Sequence, residues 1–598
     1  MAKTPVAQPT RRSFLVMLAG AVLGTYFLPS LKPLGKVKTT TATQVRRLLD
    51  VPVKRSLGLG RYLLVWMENT DDDGVVLMNW KPETPEEFAE SRRFYEDCRG
   101  YHTPLDLMLP MPKRTPGEGP RIRAMIDQMI REDGVYDPRP FLEWASFRER
   151  LGDPAGEYVR ICTQIDQLPA DSSEVDLLDK RWRELQDTYV PNVMIPPLTG
   201  LGFRFETFGT FYPEEYISTQ GLIEILDVER PGVIPEQAER LFAFAPALHK
   251  LDFKYDCIDL PGLAACKQMS QITSLRFSMV GVELPGIEAL LQSPYLGRLL
   301  DLEISWGKLG PGLGKALAKS QVLGQLRSLN IQHNDIGSEG LMPLVAERKC
   351  GGLKELCISG NNLDATSMLA LAASPHFPRL EVLSLSENPI GDEGLTNFCK
   401  AAFLPKLTRL ELKKCGLEDK AGQILADCEF RRLESLALDK NAWTPTSIDA
   451  LLASQHLFAL QHLSIHEAAL TDASVESIAN SPLLENLRSL SLEFNQIGVK
   501  GAIALAKSPY LTKLEVLALT ANELDDDAIE ALCVSPLLAN VRVLKLSGNP
   551  ITSSGTMAIC KSPYLENLKD LYIDKAGIGD AQQRLVDRFA ESNVTFGD

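Results

Sequence analysis

Two histidines, His462 and His466, are the best candidates for metal binding in this sequence of 598 residues. The apolar residues Leu463 and Ile465 alternate with them, so both histidines project from one face of a predicted strand. Residues four apart on a strand are separated by roughly 13 Å, too far to share a zinc ion through bonds of about 2.0–2.1 Å. We therefore interpret both as exposed polar residues, and the sequence predicts no metal and no cofactor.

A glycine-rich run and an acidic run suggest phosphate and calcium binding, respectively. The run from Gly310 to Lys315 lacks the spacing of a phosphate loop, and Ala316 stands where Ser or Thr would bind magnesium. The run from Asp525 to Asp527 lacks the alternating ligands of a calcium loop and opens a predicted helix, where negative charge is stabilising. No nucleophile triad or dinucleotide-binding pattern stands in a supporting context either. The sequence therefore predicts a protein that is not an enzyme.

Charge and cysteine content limit the class of partner and compartment. The chain has 63 Lys and Arg against 78 Asp and Glu, a net charge of -15. This sign argues against nucleic acid, which requires a cationic surface, and favours a protein partner. The 11 cysteines are odd in number, are scattered and form no Cys-x-x-Cys pair, so we expect most of them to be reduced.

The N-terminal residues favour export instead. Arg11 and Arg12 precede Phe14 and Leu15, and residues 14–28 form an apolar run too short to be a confident membrane-spanning helix. This pattern resembles a bacterial twin-arginine signal, which implies a periplasmic or membrane-anchored protein. No clean cleavage site follows, so residues 14–28 are a candidate membrane tether. A chance Arg-Arg pair in a cytoplasmic protein is the alternative.

A repeat of the form L-x-x-L-x-L-x-x-N-x-I/L dominates the sequence from Ile272 onward. Ten of the eleven spacings between successive first positions are 27 residues and one is 26. The first positions are Ile272, Leu299, Leu326, Leu353, Leu380, Leu407, Leu433, Leu460, Leu487, Leu514, Val541 and Leu568. A period of this length indicates a solenoid in which neighbouring units must stack to bury their apolar faces.

Each repeat predicts a strand followed by a helix. Leu329 and Ile331 alternate as on a strand with one buried face, and Asn334 follows where its amide can bond to backbone groups of the turn. The next segment is rich in helix formers and ends at a recurrent Ser-Pro. These residues resemble ribonuclease-inhibitor-like leucine-rich repeats. The resemblance implies an α/β solenoid shaped as a horseshoe, with parallel strands on the concave side and helices on the convex side.

The sequence predicts five domains. They are 1–35, a signal or anchor; 36–140, a small unassigned α+β region with a Pro-rich loop; 141–247, a domain that precedes the repeats; 248–580, the repeats; and 581–598, a C-terminal cap helix and tail. Within 36–140, residues 61–67 and 74–78 predict two strands. Residues 141–260, led by the motif from Phe141 to Arg160, resemble the repeat-companion domain that precedes leucine-rich repeats in planctomycete-type bacterial proteins, which implies an N-terminal cap. There Glu157 and Arg160, one helical turn apart, predict an ion pair.

The leading hypothesis is a scaffold that binds a protein through the concave face of its repeats. Exposed aromatic and charged residues near the strand ends favour contact by Trp306, His333, Lys440, Trp443 and Phe494. Packing of the aromatic residues between neighbouring repeats is the alternative. Two other functions stay open: a solenoid that targets an unrecognised activity in residues 36–140, and a cytosolic regulator that occludes its partner.

Overall fold

The computed structural model describes residues 53–59, 62–67, 75–79, 118–129, 137–152, 154–168, 172–189, 225–228, 233–254, 259–278, 281–575, 577–579, 581–590 and 592–597. The chain divides into two compact units, residues 1–224 with 239–247 and residues 225–238 with 248–598. Arg11, Arg12, Phe14 and Leu15 lie outside the described residues, so the export signal and the tether through residues 14–28 stay predictions. Among the helices that the structure describes, none is both long and apolar enough to span a membrane.

The first unit contains a three-stranded antiparallel sheet of order β1-β2-β3. Its strands are β1 (Val53–Leu59), β2 (Tyr62–Met67) and β3 (Val75–Asn79). The last two correspond to the strands that the sequence predicts, and they pair with Trp66 opposite Val75. Strand β1 was not predicted because Pro52, Lys54, Arg55 and two glycines obscure its alternation.

Four helices follow in this unit: α1 (Glu118–Met129), α2 (Arg139–Glu149), α3 (Pro154–Ile165) and α4 (Ser173–Tyr189). A cluster of buried side chains, including Met125, Phe141 and Trp144, forms their core. The predicted ion pair of Glu157 with Arg160 is wrong. Glu157 instead bonds to Arg181 of α4 at 2.9 Å, and Arg160 bonds to Glu149 of α2 at 2.8 Å. Contacts between helices therefore outcompete the pair within one helix.

The second unit is a leucine-rich-repeat solenoid, which confirms the predicted fold class. Among the described residues, 15 strands form one parallel sheet in chain order from β4 to β18. They are β4 (Ile225–Val228), β5 (Lys250–Lys254), β6 (Ser274–Ser278), β7 (Asp301–Ser305), β8 (Ser328–Asn330), β9 (Glu355–Cys357), β10 (Val382–Ser384), β11 (Arg409–Glu411), β12 (Ser435–Ala437), β13 (His462–Ser464), β14 (Ser489–Ser491), β15 (Val516–Ala518), β16 (Val543–Lys545), β17 (Asp570–Asp574) and β18 (Asn593–Gly597).

The sheet extends past both predicted ends of the repeats. Strand β4, which pairs with β5, lies before residue 248. Strand β18, which pairs with β17, lies inside the predicted C-terminal tail. Neither strand is followed by the asparagine that marks the repeat, which explains why the sequence pattern does not reveal them. The boundaries 248 and 580 are therefore corrected outward for the sheet.

Helices alternate with the strands of the second unit, as the repeat predicts. They are α5 (Val233–Phe244), α6 (Leu260–Ala265), α7 (Leu284–Leu291), α8 (Pro311–Lys319), α9 (Gly337–Val345), α10 (Ala365–Ala373), α11 (Gly391–Phe398), α12 (Ala421–Asp427), α13 (Pro445–Leu452), α14 (Asp472–Ala479), α15 (Val499–Ala506), α16 (Asp526–Cys533), α17 (Ser553–Lys561) and α18 (Ala581–Arg588). Leucine and isoleucine side chains between the strands and helices are fully buried and form one continuous core.

Two hydrogen-bonded ladders tie successive repeats together. In the first, Asn361 donates from Nδ2 to the carbonyl of Ile331 at 2.9 Å and accepts at Oδ1 from the amide of Asn334 at 3.0 Å. In the second, a serine that follows several of the helices donates to a carbonyl at the end of the helix in the previous repeat; Ser320, for example, donates to the carbonyl of Leu291 at 2.8 Å. Serine rather than proline carries this second contact, because Ser320 and Ser454 make it without a following proline.

One pair of cysteines is an exception to the expectation that most of the cysteines are reduced. Cys399, after α11, and Cys428, after α12, form a disulfide with their Cα atoms 5.2 Å apart. Their separation in the sequence does not match the repeat period, so the pattern gives no hint of the contact. Seven other described cysteines are free, and five of them are buried.

Candidate binding surface

The strand face turned away from the helices ends in a column of residues with left-handed backbones. Their φ angles lie between 51° and 72°, and they are Trp306, His333, Gly360, Glu387, Lys414, Lys440, Glu467, Phe494, Ala521 and Gly548. We call this set the left-handed column. Nine of the ten amides donate to a backbone carbonyl of the next repeat, as Phe494 does to Thr520 at 2.8 Å. The amide of Gly548 donates to the carboxylate of Asp574 instead. The backbone therefore holds these side chains in fixed positions outside the sheet.

Trp306 and His333 form the first aromatic stack of the column, the Trp306 stack. Their ring centroids lie 3.6 Å apart and their planes differ by 18°. The imidazole also lies against Gly360, where a Cβ would be only 2.2 Å from His333 Nδ1. Gly360 therefore gives the histidine ring the room it needs on one side, while Trp306 stacks on it and keeps 48% of its own surface exposed.

His466 and Phe494 form a second stack, the Phe494 stack, with centroids 4.9 Å apart and planes 11° apart. Phe494 is 51% exposed. Glu467 lies 3.6 Å from His466 Nε2 and 3.0 Å from Lys440 Nζ. The hydrogen bond from Lys440 lowers the pKa of Glu467 and raises that of Lys440. Lys440, a predicted contact residue, is therefore exposed but already engaged in an ion pair.

Trp443 does not lie on this surface, which corrects its prediction as a contact residue. Its side chain is 4% exposed, and its indole Nε1 donates to the carbonyl of Leu438 at 3.1 Å. The reason is visible in the sequence, because Trp443 follows Asn441 by two residues and so occupies the final apolar position of the repeat. The alternative of packing within the repeats holds for Trp443.

A groove of about 450 Å³ lies on the strand face between β6 and β10. Its charged lining residues are Arg276, Asp301, Glu303 and Glu355, and we call it the carboxylate groove. Burial raises the pKa of Asp301, and the negative charge of Glu355 raises it further. The lining holds three carboxylates and one guanidinium, and the positive charges of Lys250 and Arg327 also act on Asp301. None of these carboxylates is among the contact residues that the sequence predicts.

Polar residues in the middle of the strand face form hydrogen bonds and ion pairs with their neighbours. Ser384 bonds to Ser359 and to Glu411, each at 2.8 Å. Asp439, 4% exposed, accepts from the amide of His466 at 2.9 Å and pairs with Lys413 at 3.1 Å. This part of the face is thus largely satisfied by its own side chains.

The two runs that suggested phosphate and calcium chemistry have structural roles. Lys315 forms an ion pair with Glu339 of the next helix. Asp525 caps α16 by accepting from the amide of Ala528 at 3.1 Å, and Asp526 accepts from the amide of Gly555 at 2.9 Å. In the part of the chain that the structure describes, no three His, Cys, Asp or Glu residues are grouped to hold a metal ion.

Comparison with known proteins supports the assignment of the repeats. A family model described as "Leucine Rich repeat" matches residues 326–345, 378–399, 484–506, 510–533 and 538–560. The chain is similar to the yeast Rad7 and Elc1 complex structure, at 19% identity and TM-score 0.36, over 57% of this chain and 83% of that one. It is also similar to an internalin from Listeria monocytogenes, at 18% identity and TM-score 0.31, over 57% of this chain and 94% of that one. No curated protein matches it.

Proposed function

We propose that this chain, which contains leucine-rich repeats, is a non-enzymatic scaffold that binds a protein partner on the strand face of its solenoid. The observation that carries the proposal is the pair of aromatic stacks on the left-handed column, each with a ring about half exposed. Aromatic side chains on a fixed backbone lose little conformational freedom on binding and are common at the centres of protein interfaces.

The size of the face favours a macromolecule over a small ligand. With 15 strands spaced by about 4.8 Å, the sheet offers roughly 65 Å of continuous polar surface along the strand order. A standard protein interface needs about 800 Å² on each partner. Polar side chains with scattered aromatic residues match the composition of such interfaces better than that of an enclosed small-molecule site.

The test is cross-linked capture of partners from the native cells by the full chain. A variant with Trp306, His333, Lys440 and Phe494 all changed to Ala is expected to lose a partner that the parent protein captures. A matched control changes Met342, Leu369 and Phe458, which are 43%, 50% and 57% exposed but lie outside the strand face, to Ala. A partner retained by the first variant and lost by the control would contradict the proposal.

We also propose that the protein is exported by a twin-arginine route, with residues 14–28 as a possible tether. The Cys399–Cys428 disulfide supports this proposal, because disulfides persist mainly in oxidising compartments. The double variant Arg11→Lys and Arg12→Lys is expected to keep the protein in the cytoplasm, as determined by cell fractionation. An unchanged location would contradict the export proposal and favour the cytosolic regulator.

A further inference from the structure

The asparagine ladder is interrupted beside Trp306. In the next repeats, the asparagine side chain accepts from backbone amides of the preceding turn; Asn361 accepts from Asn334 at 3.0 Å and from Ile336 at 3.4 Å. Asn334 is fully buried, yet its Oδ1 accepts no hydrogen bond from any residue that the structure describes. The turn that it faces carries Gly307 in the asparagine position of the repeat.

Geometry places this unsatisfied acceptor directly under the Trp306 turn. A Cβ on Gly307 would lie 2.9 Å from Asn334 Oδ1, so the acceptor is aimed at the residue that follows Trp306. A buried carbonyl oxygen without a donor is unfavourable, and because this oxygen is inaccessible, the donor that would satisfy it is an amide of the turn itself and not a partner side chain. The Trp306 turn therefore differs from the turn that carries Asn334, because none of its described amides donates to the asparagine of the next repeat.

A second, independent feature at the same place is an incompletely bonded carboxylate. Ser278 and Ser305 both donate to the same oxygen of Glu303, Oε1, at 2.9 and 2.8 Å. Neither hydroxyl occupies Oε2. Because Ser305 directly precedes Trp306, this carboxylate lies close in the chain to the exposed indole. Arg276 lies opposite Glu303 in the strand register, but the two form no ion pair among the described residues.

We propose that the Trp306 region, which comprises Glu303, Trp306, Gly307, His333 and Asn334, binds an arginine side chain of the protein partner through its accessible groups, Trp306 and Glu303, while Asn334 stays buried beneath the turn. This inference rests on the proposed function. A guanidinium is planar and cationic, so it stacks on an indole face while its donors reach a carboxylate in a fork. Glu303 itself lines the carboxylate groove, where Asp301 and Glu355 supply two further carboxylates for the adjoining partner segment.

Arginine fits this region better than lysine for a physical reason. The ammonium group of lysine is a compact, strongly hydrated charge that does not stack as a plane and gives up more hydration when it leaves water. The flat indole of Trp306 and the Oε2 atom of Glu303 together favour a donor group that is itself planar, as a guanidinium is. A partner segment that carries lysine is attracted by the groove but lacks the stacking contact.

The experiment measures binding of a fluorescent, end-blocked Gly-Arg-Gly-Arg-Gly peptide to the full chain by anisotropy. Two probes of equal length replace each arginine with lysine or with neutral citrulline. The arginine peptide is expected to bind about tenfold more tightly than the lysine peptide, and the citrulline peptide is expected to bind weakest. Trp306→Ala and Glu303→Gln are each expected to weaken the arginine peptide by about tenfold.

Phe494→Ala is the matched control, because Phe494 has the same left-handed backbone, a similar exposure and its own histidine stack. It is expected to leave the affinity for the arginine peptide unchanged. Equal affinity for arginine and lysine, or equal loss in the Trp306 and Phe494 variants, would overturn the proposal in favour of general charge attraction. Trp306→Phe, which retains a ring, guards against a folding artefact by recovering part of the affinity.

This outcome is separable from that of the capture experiment. If the parent protein captures a partner through the strand face but does not bind the arginine peptide, the arginine site is wrong and the scaffold stands. If neither the peptide nor a partner depends on the strand face, both proposals fail.

Discussion

The Trp306 region and the Phe494 region contain the same kind of aromatic stack in different surroundings. The Phe494 region comprises His466, Glu467, Phe494 and Asn495. In both, a left-handed aromatic residue stacks on a histidine and keeps about half of its surface in water. Around Phe494, Asn495 accepts from both amides of the preceding turn, although that turn carries Ala468 in the asparagine position, and Glu467 is paired with Lys440. Around Trp306, Asn334 Oδ1 and Glu303 Oε2 accept no hydrogen bond from the residues that the structure describes. Similar backbone conformations at Trp306 and Phe494 thus accompany two differently satisfied surroundings.

The two tryptophans give the largest contrast between surface and core. Trp443→Ala is expected to lower the free energy of unfolding by about 3–5 kcal/mol, because it removes a buried ring and leaves a cavity. Trp306→Ala is expected to change it by less than about 1 kcal/mol, because about half of that ring is already in water. Urea denaturation of the full chain measures both, with Trp443→Phe as the control that keeps most of the apolar volume. Equal destabilisation by the two alanine variants would contradict the placement of Trp443 in the core and Trp306 at the surface.

The asparagines of the two regions provide a direct test of the interrupted ladder. Asn495 donates to three carbonyls and accepts from the amides of Ala468 and Leu470 at 3.1 and 3.0 Å. Asn334 donates to three carbonyls and accepts nothing from the described residues. Asn495→Ala is therefore expected to cost about 3–4 kcal/mol, and Asn334→Ala about 1–2 kcal/mol less, as determined from urea midpoints. A greater loss for Asn334→Ala would mean that its Oδ1 is bonded after all.

The disulfide lies in the chain between the two regions and tests whether they are independent. Reduction of Cys399–Cys428, which closes a loop of 29 residues, is expected to lower the free energy of unfolding by about 3 kcal/mol. Affinity for the arginine peptide is expected to be unchanged, because the Trp306 region contains neither cysteine. The measurement is the urea midpoint with and without reductant, and Cys399→Ser must abolish the response. Cys533→Ser, at a buried free thiol, is the control that must keep it.

The sequence predicts the repeats well because every position of the period has one structural role. Leu329 and Ile331 are fully buried and Asn334 bonds to the backbone, as the pattern requires. The same pattern places Trp443 in the core, because Trp443 occupies the final apolar position of its repeat. The sequence does not reveal the Trp306 stack, the role of Gly360 or the disulfide, because these depend on contacts between repeats. Gly307 replaces the asparagine of the Trp306 turn, but Ala468 does the same before Phe494, where Asn495 keeps its amide donors, so the sequence alone does not mark the Trp306 turn as different.

The smallest predicted contrast is a difference in the response to pH. The pKa of Asp301, in the carboxylate groove, is raised by burial, with Glu355 adding to the effect. The pKa of Glu467, in the Phe494 region, is lowered by the hydrogen bond from Lys440. A raised carboxyl pKa means that the folded state holds its proton more tightly than the unfolded state, so stability falls as the pH rises through that pKa. A lowered pKa means the opposite, because stability is then present at higher pH and is lost as the pH falls through it.

Neutral substitutions should therefore shift stability in opposite directions. Asp301→Asn is expected to raise the urea midpoint near neutral pH, and this gain should shrink at acidic pH, where the parent carboxyl is protonated. Glu467→Gln is expected to lower the midpoint near neutral pH, and this loss should also shrink at acidic pH. Added salt should weaken the Glu467 effect more, because that pair is exposed to solvent whereas Asp301 is half-buried. If both substitutions shift the midpoint in the same direction, the electrostatic distinction between the two regions is wrong, and only their packing separates them.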